Sequence, residues 1–368
     1  MPAIEPSPQP DLFRLHLSGS RLLDGLLVLG VAAIVVARVW PREALWVFVL
    51  AAGGLIPLAA VLGEATVDLA GRTGPLAAGL LQSTLGNASE LILGITALRA
   101  GLLDVVKASL VGSIISNLLL VLGLAMLFGG WGRRRQTVDR EVASSNTTML
   151  FLASVGLIVP AVFSLGVFGR LGAASPAIES LSLWTALILI VIYVVSVVYQ
   201  LRAAAPVVPR GAVVAAGRTR PVMIMLASVV WIAALSELLV GELHTAQAAF
   251  HGTDLFWGGV VFALIGNAAE HGVAVTAARR NDMDLAMAIG VGSSLQIALL
   301  LAPVLVFLSL ALGHPMSLVF TGIEVAAVVL STVMVGMIAA DGETNWLEGA
   351  ELLAVYAILV IGFYFVPV

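Results

Sequence analysis

The sequence predicts an all-α integral membrane protein with about eleven transmembrane helices. Of its 368 residues, 60% are hydrophobic and only 11% are charged, whereas about a quarter of a soluble domain is charged. Mean hydropathy is +1.08. The apolar runs are continuous rather than alternating, which favours helices, because a lipid-embedded backbone has to satisfy its own hydrogen bonds. An internal repeat, described below, divides most of the chain into two halves.

Eleven segments approach the roughly 20 apolar residues that a helix needs to span a bilayer. They run approximately over 22–40, 43–70, 74–99, 103–130, 143–166, 178–201, 221–243, 255–279, 284–312, 317–340 and 346–366. Residues 1–21 are proline-rich and predict a disordered tail without a removable signal peptide.

The longest connection, 202–220, predicts a linker between two groups of helices. We therefore expect a first transmembrane helix over 22–42, a five-helix repeat over 43–201 and a second over 221–368. Thirteen of the eighteen basic residues lie on the side of the N-terminus, and positive charge marks the cytoplasmic side. This bias places the N-terminus and the linker in the cytoplasm and the C-terminus outside. Five helices per half give the halves opposite topology.

The repeat appears when the sequence is compared with itself at an offset of 180 positions. The stretch GNASELILGITALRAGLLDVVKASLVGS aligns with GNAAEHGVAVTAARRNDMDLAMAIGVGS, and the matches include asparagine, glutamate, aspartate and arginine. Shared hydrophobicity does not explain such polar identities. Gly86-Asn87 and Gly266-Asn267 lie inside apolar segments, where both residue types weaken a helix. Because transporters with inverted repeats bind substrate at interrupted helices, we expect the site at Gly86–Glu90 and Gly266–Glu270.

Glu90 and Glu270 are the central candidates, since intramembrane carboxylates usually mark a pathway or relay. Each follows an asparagine by three residues, so carboxylate and amide can share a helix face. The next helix of each half adds further oxygens, from Ser113 and Ser116 in the first and from Ser293 and Gln296 in the second.

Such an all-oxygen shell suits Ca²⁺, whereas zinc and copper favour thiolate and imidazole. The chain has no cysteine, and only His271 lies near the candidate site. Two carboxylates neutralise one divalent cation, and protons compete with that cation for the same oxygens. The residues leave Mn²⁺ and other divalent cations open.

The candidates also have structural interpretations. A membrane-embedded glutamate can be a hydrogen-bond partner between helices, and serines commonly bond back to their own helix. Glu64, Asp68 and Glu237 are candidates for a proton pathway; an exposed helix end is the competing account for Asp68, whereas Glu64 and Glu237 are expected to lie deeper. His271 is either a proton shuttle or a packed neutral histidine. For Asp104 and Asp284, helix capping is favoured over transport.

At these residues the sequence resembles the calcium/proton exchanger (cation exchanger) family of the calcium/cation antiporter superfamily. The matching stretches are LGEATVDLAGRTGPLAAGLLQSTLGNASELILGI, GSIISNLLLVLG, IGNAAEHGVAVTAARRNDMDLAMAIGVGSSLQIALLLAP and LSELLV. The resemblance implies ten core helices in two inverted repeats after one extra helix, exchange of Ca²⁺ for H⁺, and metal coordination by Glu90 and Glu270. It also implies a pathway lined by Asn87, Asn267, Ser113, Ser116, Asn117, Ser293 and Gln296. Asp68 stands where the family often has glutamate, and the linker is basic where the family often has an acidic segment.

The competing functions are a sodium/calcium exchanger of the same architecture, a cation channel and, least favoured, an intramembrane enzyme. We expect no catalytic residues, no cofactor and no nucleic-acid partner. The expected partners are Ca²⁺ or another divalent cation, H⁺ and the lipid bilayer. The lack of targeting extensions favours a prokaryotic cell membrane.

Overall fold

The computed structural model describes residues 21–40, 42–73, 81, 84–171, 175–203 and 219–366. The predicted tail, apart from Arg21, and residues 204–218 of the predicted linker lie outside the described residues. Thirteen helices are assigned in the described ranges: α1 Arg21–Val39, α2 Ala44–Gly71, α3 Ala88–Arg99, α4 Leu103–Gly130, α5 Arg140–Phe168, α6 Pro176–Ala203, α7 Thr219–Gly241, α8 Leu243–Phe250, α9 Asp254–Gly266, α10 Ala268–Arg279, α11 Met283–Ala311, α12 Gly322–Ala339 and α13 Trp346–Phe365. Two short strands, β1 Gln136–Thr137 and β2 Glu343–Thr344, pair antiparallel, with Gln136 opposite Thr344.

Eight of the described helices are long and apolar enough to cross a membrane: α2, α4, α5, α6, α7, α11, α12 and α13. A ninth span results if α8 and α9, which meet at an angle of 112°, count as one broken segment, and α1 contributes a shorter apolar stretch, Leu27–Val39. The all-helical prediction is confirmed. Much of the predicted span 74–99 lies outside the described residues, and the predicted span 255–279 comprises two helices, α9 and α10. The count of eleven therefore stays a prediction.

The helices are interrupted at the two predicted Gly-Asn pairs. Gly86 and Asn87 form a turn immediately before α3, and Asn267 forms a turn between α9 and α10. Both asparagines precede a helix start, yet neither side chain caps its own helix. Glu90 and Glu270 consequently lie in the first turns of α3 and α10, where the helix dipole favours negative charge.

Two long helices contain π-helical segments at matching positions. These are Ser116–Val121 in α4 and Ile297–Leu301 in α11, which begin 181 positions apart and therefore nearly match the repeat offset. A third π-helical segment, Trp257–Phe262, lies in α9. Such segments shift the register of the side chains that follow and occur often at functional sites. Here two of them begin beside candidate site residues.

Glycines allow α4 to approach its neighbours closely. A Cβ added to Gly112 would lie 2.0 Å from the carbonyl oxygen of Gly259 in α9, and one added to Gly349 in α13 would lie 2.7 Å from the Gly123 carbonyl oxygen. Small residues at such crossings are typical of helices packed in membranes. The contact between Gly112 and Gly259 places the hydroxyl-bearing part of α4 next to the end of α9, where the candidate site begins.

The capping expected at Asp104 and Asp284 is wrong. Asp104 lies in the first turn of α4, whose start at Leu102 shows no side-chain cap. At the start of α11, Asp282 accepts the backbone N–H of Leu285 at 3.1 Å, and Asp284 instead accepts the backbone N–H of Asp139 at 2.6 Å. Because α11 begins at Met283, the earlier aspartate holds the capping position.

Candidate cation site

The first carboxylate, Glu90, lies where α3 meets the end of α9. Its side chain is only 6% exposed. It packs against Gly266, since a Cβ at that glycine would lie 2.9 Å from Glu90 Cγ. The Ser89 hydroxyl donates to Glu90 Oε2 at 3.0 Å and lies 3.4 Å from the Gly266 carbonyl oxygen. The two interrupted segments of the predicted repeats therefore touch at this carboxylate.

The second carboxylate, Glu270, is partly buried in the first turn of α10. The Ser293 hydroxyl donates to its Oε1 at 2.9 Å, while its Oε2 has no hydrogen-bond partner among the described residues. Glu270 also interacts electrostatically with Glu90. In the described part of the chain, no arginine or lysine forms an ion pair with either carboxylate. When ionised, the pair therefore carries negative charge with which no described basic side chain forms an ion pair.

Asn267 is fully buried and serves as a link between α9 and α4. Its Nδ2 donates to Ser113 Oγ at 2.9 Å and to the Ala263 carbonyl oxygen at 2.8 Å. Its Oδ1 accepts from Asn117 Nδ2 at 3.2 Å. Both Nδ2 hydrogens and one of the two lone pairs of Oδ1 are therefore engaged within the protein, which leaves a single lone pair of this oxygen for a cation.

Asn87 occupies the matching position of the other half but has different contacts. Its Nδ2 donates to Gln296 Oε1 at 3.1 Å, and its Oδ1 is buried without a hydrogen-bond partner in the described part of the chain. The repeat offset explains the difference. Asn117, which donates to Asn267, corresponds to Ile297, and an isoleucine has no donor to offer Asn87.

Three buried acceptor oxygens at the site lack hydrogen-bond partners among the described residues: Asn87 Oδ1, Asn117 Oδ1 and Glu270 Oε2. Leaving a buried acceptor unpaired costs about 1–3 kcal/mol. A hard cation with 6–8 oxygen ligands removes that cost for several oxygens at once. No group of three or more His, Cys, Asp or Glu side chains able to hold a metal occurs in the described ranges. The arrangement therefore suits a cation bound by two carboxylates with amide and hydroxyl oxygens, and it does not resemble a zinc site.

His271 lies beside this site. Its Nε2 is 3.4 Å from the hydroxyl of Ser116 on α4, and the hydroxyl of the buried residue Tyr356, on α13, lies beside the same serine. The structure thus connects His271 to the predicted pathway through Ser116.

The three acidic residues predicted for the proton pathway lie on α2 and α7, not on the helices that carry the carboxylate pair. Asp68 is exposed near the end of α2 and pairs with Arg72, with both its oxygens 2.9 Å from guanidinium nitrogens. Glu237 is also exposed and lies 3.4 Å from Arg99. Glu64 is half-buried on α2. No hydrogen bond or ion pair in the described part of the chain joins these three acids to Glu90 or Glu270.

The comparison with protein families identifies the chain. The family model described as sodium/calcium exchanger protein matches residues 43–202 and 221–365. The chain belongs to this family.

Relatives of this exchanger support the assignment over nearly the whole length. The Ca(2+)/H(+) antiporter of Synechocystis is 40% identical over 344 residues, which cover 87% of this chain and 91% of the relative. The Ca(2+)/H(+) antiporter ChaA of Bacillus subtilis is 38% identical over 357 residues, covering 94% and 99%. The resemblance to cation exchangers inferred from the motifs is therefore confirmed.

Solved structures show the same fold. The structure of native YfkE superposes with a TM-score of 0.81 at 36% identity, covering 94% of this chain and 99% of the other. The H+/Ca2+ exchanger CAX gives a TM-score of 0.72 at 16% identity, covering 93% and 91%, and this likeness concerns the fold alone. Together with the eight apolar spans among the described residues, membership of this family makes the exchanger an integral membrane protein.

Sequence reasoning missed two polar residues beside the site, Ser89 and Tyr356. Ser89 directly precedes Glu90 and donates to it, but the second copy of the motif has alanine at the matching position, so the repeat gives no signal for this serine. Tyr356 lies in the last helix, far from the motifs in sequence. Its polar tip inside an apolar span was the only available signal.

Proposed function

We propose that this exchanger transports Ca²⁺ in one direction and H⁺ in the other by alternating access, with Glu90 and Glu270 binding metal or protons in competition. The observation that carries the proposal is the packing of Glu90 against Gly266, at the helix break that leads into the first turn holding Glu270, beside oxygens without partners among the described residues. The names of the relatives from Synechocystis and Bacillus subtilis, both Ca(2+)/H(+) antiporters, agree with it.

The competition follows from charge. With Ca²⁺ bound, the charges of both carboxylates are neutralised, and the oxygens of Asn87 and Asn117 that lack a hydrogen-bond partner among the described residues coordinate the ion. Without Ca²⁺, two negative charges face each other away from bulk water, which costs several kcal/mol. Protonation removes these charges but also removes the electrostatic attraction for Ca²⁺. Loading one ion therefore releases the other, and no separate coupling element is required.

We further propose the architecture predicted from the sequence, with one helix followed by inverted five-helix repeats over 43–201 and 221–368. Three features support it. The family model matches in two segments that agree with this division, the helix breaks lie 180 positions apart, and two π-helical segments lie at nearly the same offset. The distribution of arginine supports a cytoplasmic N-terminus and linker and an outer C-terminus. The proposed location is a prokaryotic cell membrane.

For the proton route, His271 is the best-supported candidate because it contacts Ser116 at the edge of the site. Glu64, Asp68 and Glu237 remain proposals for the outer parts of that route. We propose that the protein is a transporter without enzymatic activity or cofactor, and that Mn²⁺ can replace Ca²⁺ because both bind oxygen ligands.

The test is calcium uptake into proteoliposomes driven by a pH gradient, using radioactive calcium. Glu90→Gln and Glu270→Gln keep the side-chain shape but lose the charge and the titratable proton, so uptake should fall to the background of empty vesicles. Glu179→Gln is the matched control, because Glu179 also lies in the first turn of a helix but is exposed. Wild-type uptake by either site variant would refute the assignment.

The same assay separates the competing functions. Replacing sodium while the pH gradient is held constant should leave uptake unchanged, whereas a sodium/calcium exchanger would respond to sodium. Collapsing the pH gradient should abolish uphill uptake, whereas a channel would continue to pass calcium driven by voltage alone.

A further inference from the structure

A cavity of about 550 Å³ opens at the end of α4, away from the carboxylate pair. It is lined by Phe128, Trp131, Gly132, Arg133 and Arg279. The transport mechanism proposed above uses none of these residues. We call this cavity the arginine–tryptophan groove.

The groove is built on the contact between the ends of α4 and α10. A Cβ on Gly129 would lie 2.6 Å from Ala278 Cβ, and Gln136 Nε2 donates to the Ala278 carbonyl oxygen at 2.9 Å. The Arg133 guanidinium donates to the carbonyl oxygens of Gly129 and Arg279. It thus satisfies carbonyls at the ends of both helices and is held in a defined place.

The groove lies at the level where membrane spans end. Both α4 and α13 are apolar enough to cross a bilayer, and α4 ends at Gly130 while α13 begins at Trp346. Trp131, 71% exposed, contacts Trp346 edge to face with ring centroids 6.2 Å apart. Tryptophan is enriched where hydrocarbon meets lipid headgroups. The opening therefore faces the headgroup layer, on the side that the proposed orientation places in the cytoplasm.

The groove also carries unneutralised positive charge. Arg133, Arg134, Arg279 and Arg280 are exposed, and none of them has an acidic partner among the described residues. Arg135 differs, since it pairs with Glu343. A guanidinium presents a planar set of donors that matches the oxygens of a phosphate. Positive charge on the wall and exposed aromatic rings at the rim match a ligand with an anionic head and apolar chains.

We propose that the arginine–tryptophan groove binds an anionic phospholipid. Its phosphate contacts Arg279 and Arg133, and its acyl chains lie along Phe128 and Trp131. The bound lipid braces the ends of α4 and α10 against each other. These helices carry Ser116 and Glu270, so the lipid stabilises the region of the fold that holds the site. The proposal rests on the groove alone and holds whatever ions the protein transports.

The test uses purified full-length protein in a mild detergent, with phosphatidylglycerol as the probe and phosphatidylcholine as the uncharged comparison. Native mass spectrometry counts the retained lipids, and the thermal unfolding midpoint reports stabilisation. Arg279→Gln removes a guanidinium that forms no hydrogen bond or ion pair with any described residue, so this variant should fold normally. Arg42→Gln removes an exposed arginine outside the groove and is the matched control. One arginine near a membrane surface changes lipid binding by about fivefold.

We expect wild-type protein and Arg42→Gln to retain phosphatidylglycerol in preference to phosphatidylcholine and to be stabilised by it. Arg279→Gln should bind it about fivefold more weakly, and Trp131→Ala should lose the stabilisation. Equal retention of the two lipids by the wild type would overturn the proposal. It would also be overturned if Arg42→Gln weakened phosphatidylglycerol binding as much as Arg279→Gln does. Inorganic phosphate added without lipid should not raise the thermal unfolding midpoint. If it protects as well as the lipid does, the groove is a phosphate site rather than a lipid site.

Discussion

Replacing Gly266 by alanine should weaken cation binding while leaving the fold intact. The new Cβ would lie 2.9 Å from Glu90 Cγ, whereas carbon atoms in contact prefer about 3.5–4.0 Å. Glu90 must therefore move by about 1 Å. Ca²⁺ accepts oxygen ligands only over a window of about 0.3 Å, from 2.3 to 2.6 Å. The displaced carboxylate therefore falls outside that window, and we expect calcium affinity to fall by about 10- to 100-fold.

The stability of Gly266→Ala should change little, for two opposing reasons. An alanine at the last residue of α9 gains up to about 1 kcal/mol of helix propensity over glycine. Overpacking costs about 1–3 kcal/mol, and the rotation of the Glu90 side chain keeps the cost in the lower half of that range, so the net destabilisation stays below about 2 kcal/mol.

The assay for Gly266→Ala is the calcium dependence of uptake into proteoliposomes, together with a thermal unfolding curve. Gly272→Ala is the control, because Gly272 lies in α10 with Glu270 and a Cβ there would meet no described atom within 4 Å. An unchanged KM for calcium in Gly266→Ala would show that the position of Glu90 against α9 does not matter for binding.

Three further predictions concern the packing, the asparagines and pH. Gly112→Ala should lower the thermal unfolding midpoint strongly, because its Cβ would lie 2.0 Å from a backbone oxygen of α9. Gly292→Ala is the control and should leave the midpoint unchanged, because no described atom lies within 4 Å of a Cβ there. Equal midpoints for the two variants would contradict the close contact between α4 and α9. Asn87→Ala should weaken equilibrium calcium binding with little effect on folding. Asn267→Ala should mainly lower the stability of the fold, because each buried partner left without its hydrogen bond costs about 1–3 kcal/mol. If instead Asn87→Ala lowered stability and Asn267→Ala weakened calcium binding, the roles assigned to the two asparagines would be exchanged. Calcium binding measured by equilibrium dialysis should tighten as pH rises, because protons then leave the Glu90–Glu270 pair, and an affinity independent of pH would exclude competition.

Several elements of the fold could be predicted because their signal lies in single residues. The breaks before α3 and α10 follow from a glycine and an asparagine inside apolar stretches, and the same pair occurs in both halves. The π-helical segments could not be predicted, since Leu118–Val121 has the composition of an ordinary apolar helix. Their geometry arises from packing between helices distant in sequence. The cap of α11 likewise depends on which of two nearby aspartates, Asp282 or Asp284, directly precedes the helix.

The candidate site was predictable in its charged residues and less so in its hydrogen bonds. A buried glutamate in an apolar segment is rare enough to be noticed, and two in matched motifs locate the site. Asn87 and Asn267 lie in the same motif. Their local sequence therefore gives no sign that Asn87 Oδ1 lacks a hydrogen-bond donor among the described residues while Asn267 Oδ1 has one. The difference arises from Asn117 and its counterpart Ile297, residues on other helices whose proximity only the fold reveals.

No basic side chain pairs with Glu90 or Glu270 in the described part of the chain, and this affects how readily the carrier cycles without a bound ion. A carrier that changed conformation while empty would have to keep two bare negative charges shielded from water. At about 2.5–3.5 kcal/mol per charge, this adds about 5–7 kcal/mol to the barrier, which slows the futile step by a factor of roughly 10³ to 10⁵. A lysine beside the pair would cancel that penalty and let the empty form cycle freely. In the proposed mechanism, two acids without a basic partner among the described residues therefore keep the ion gradient from being dissipated by empty cycling.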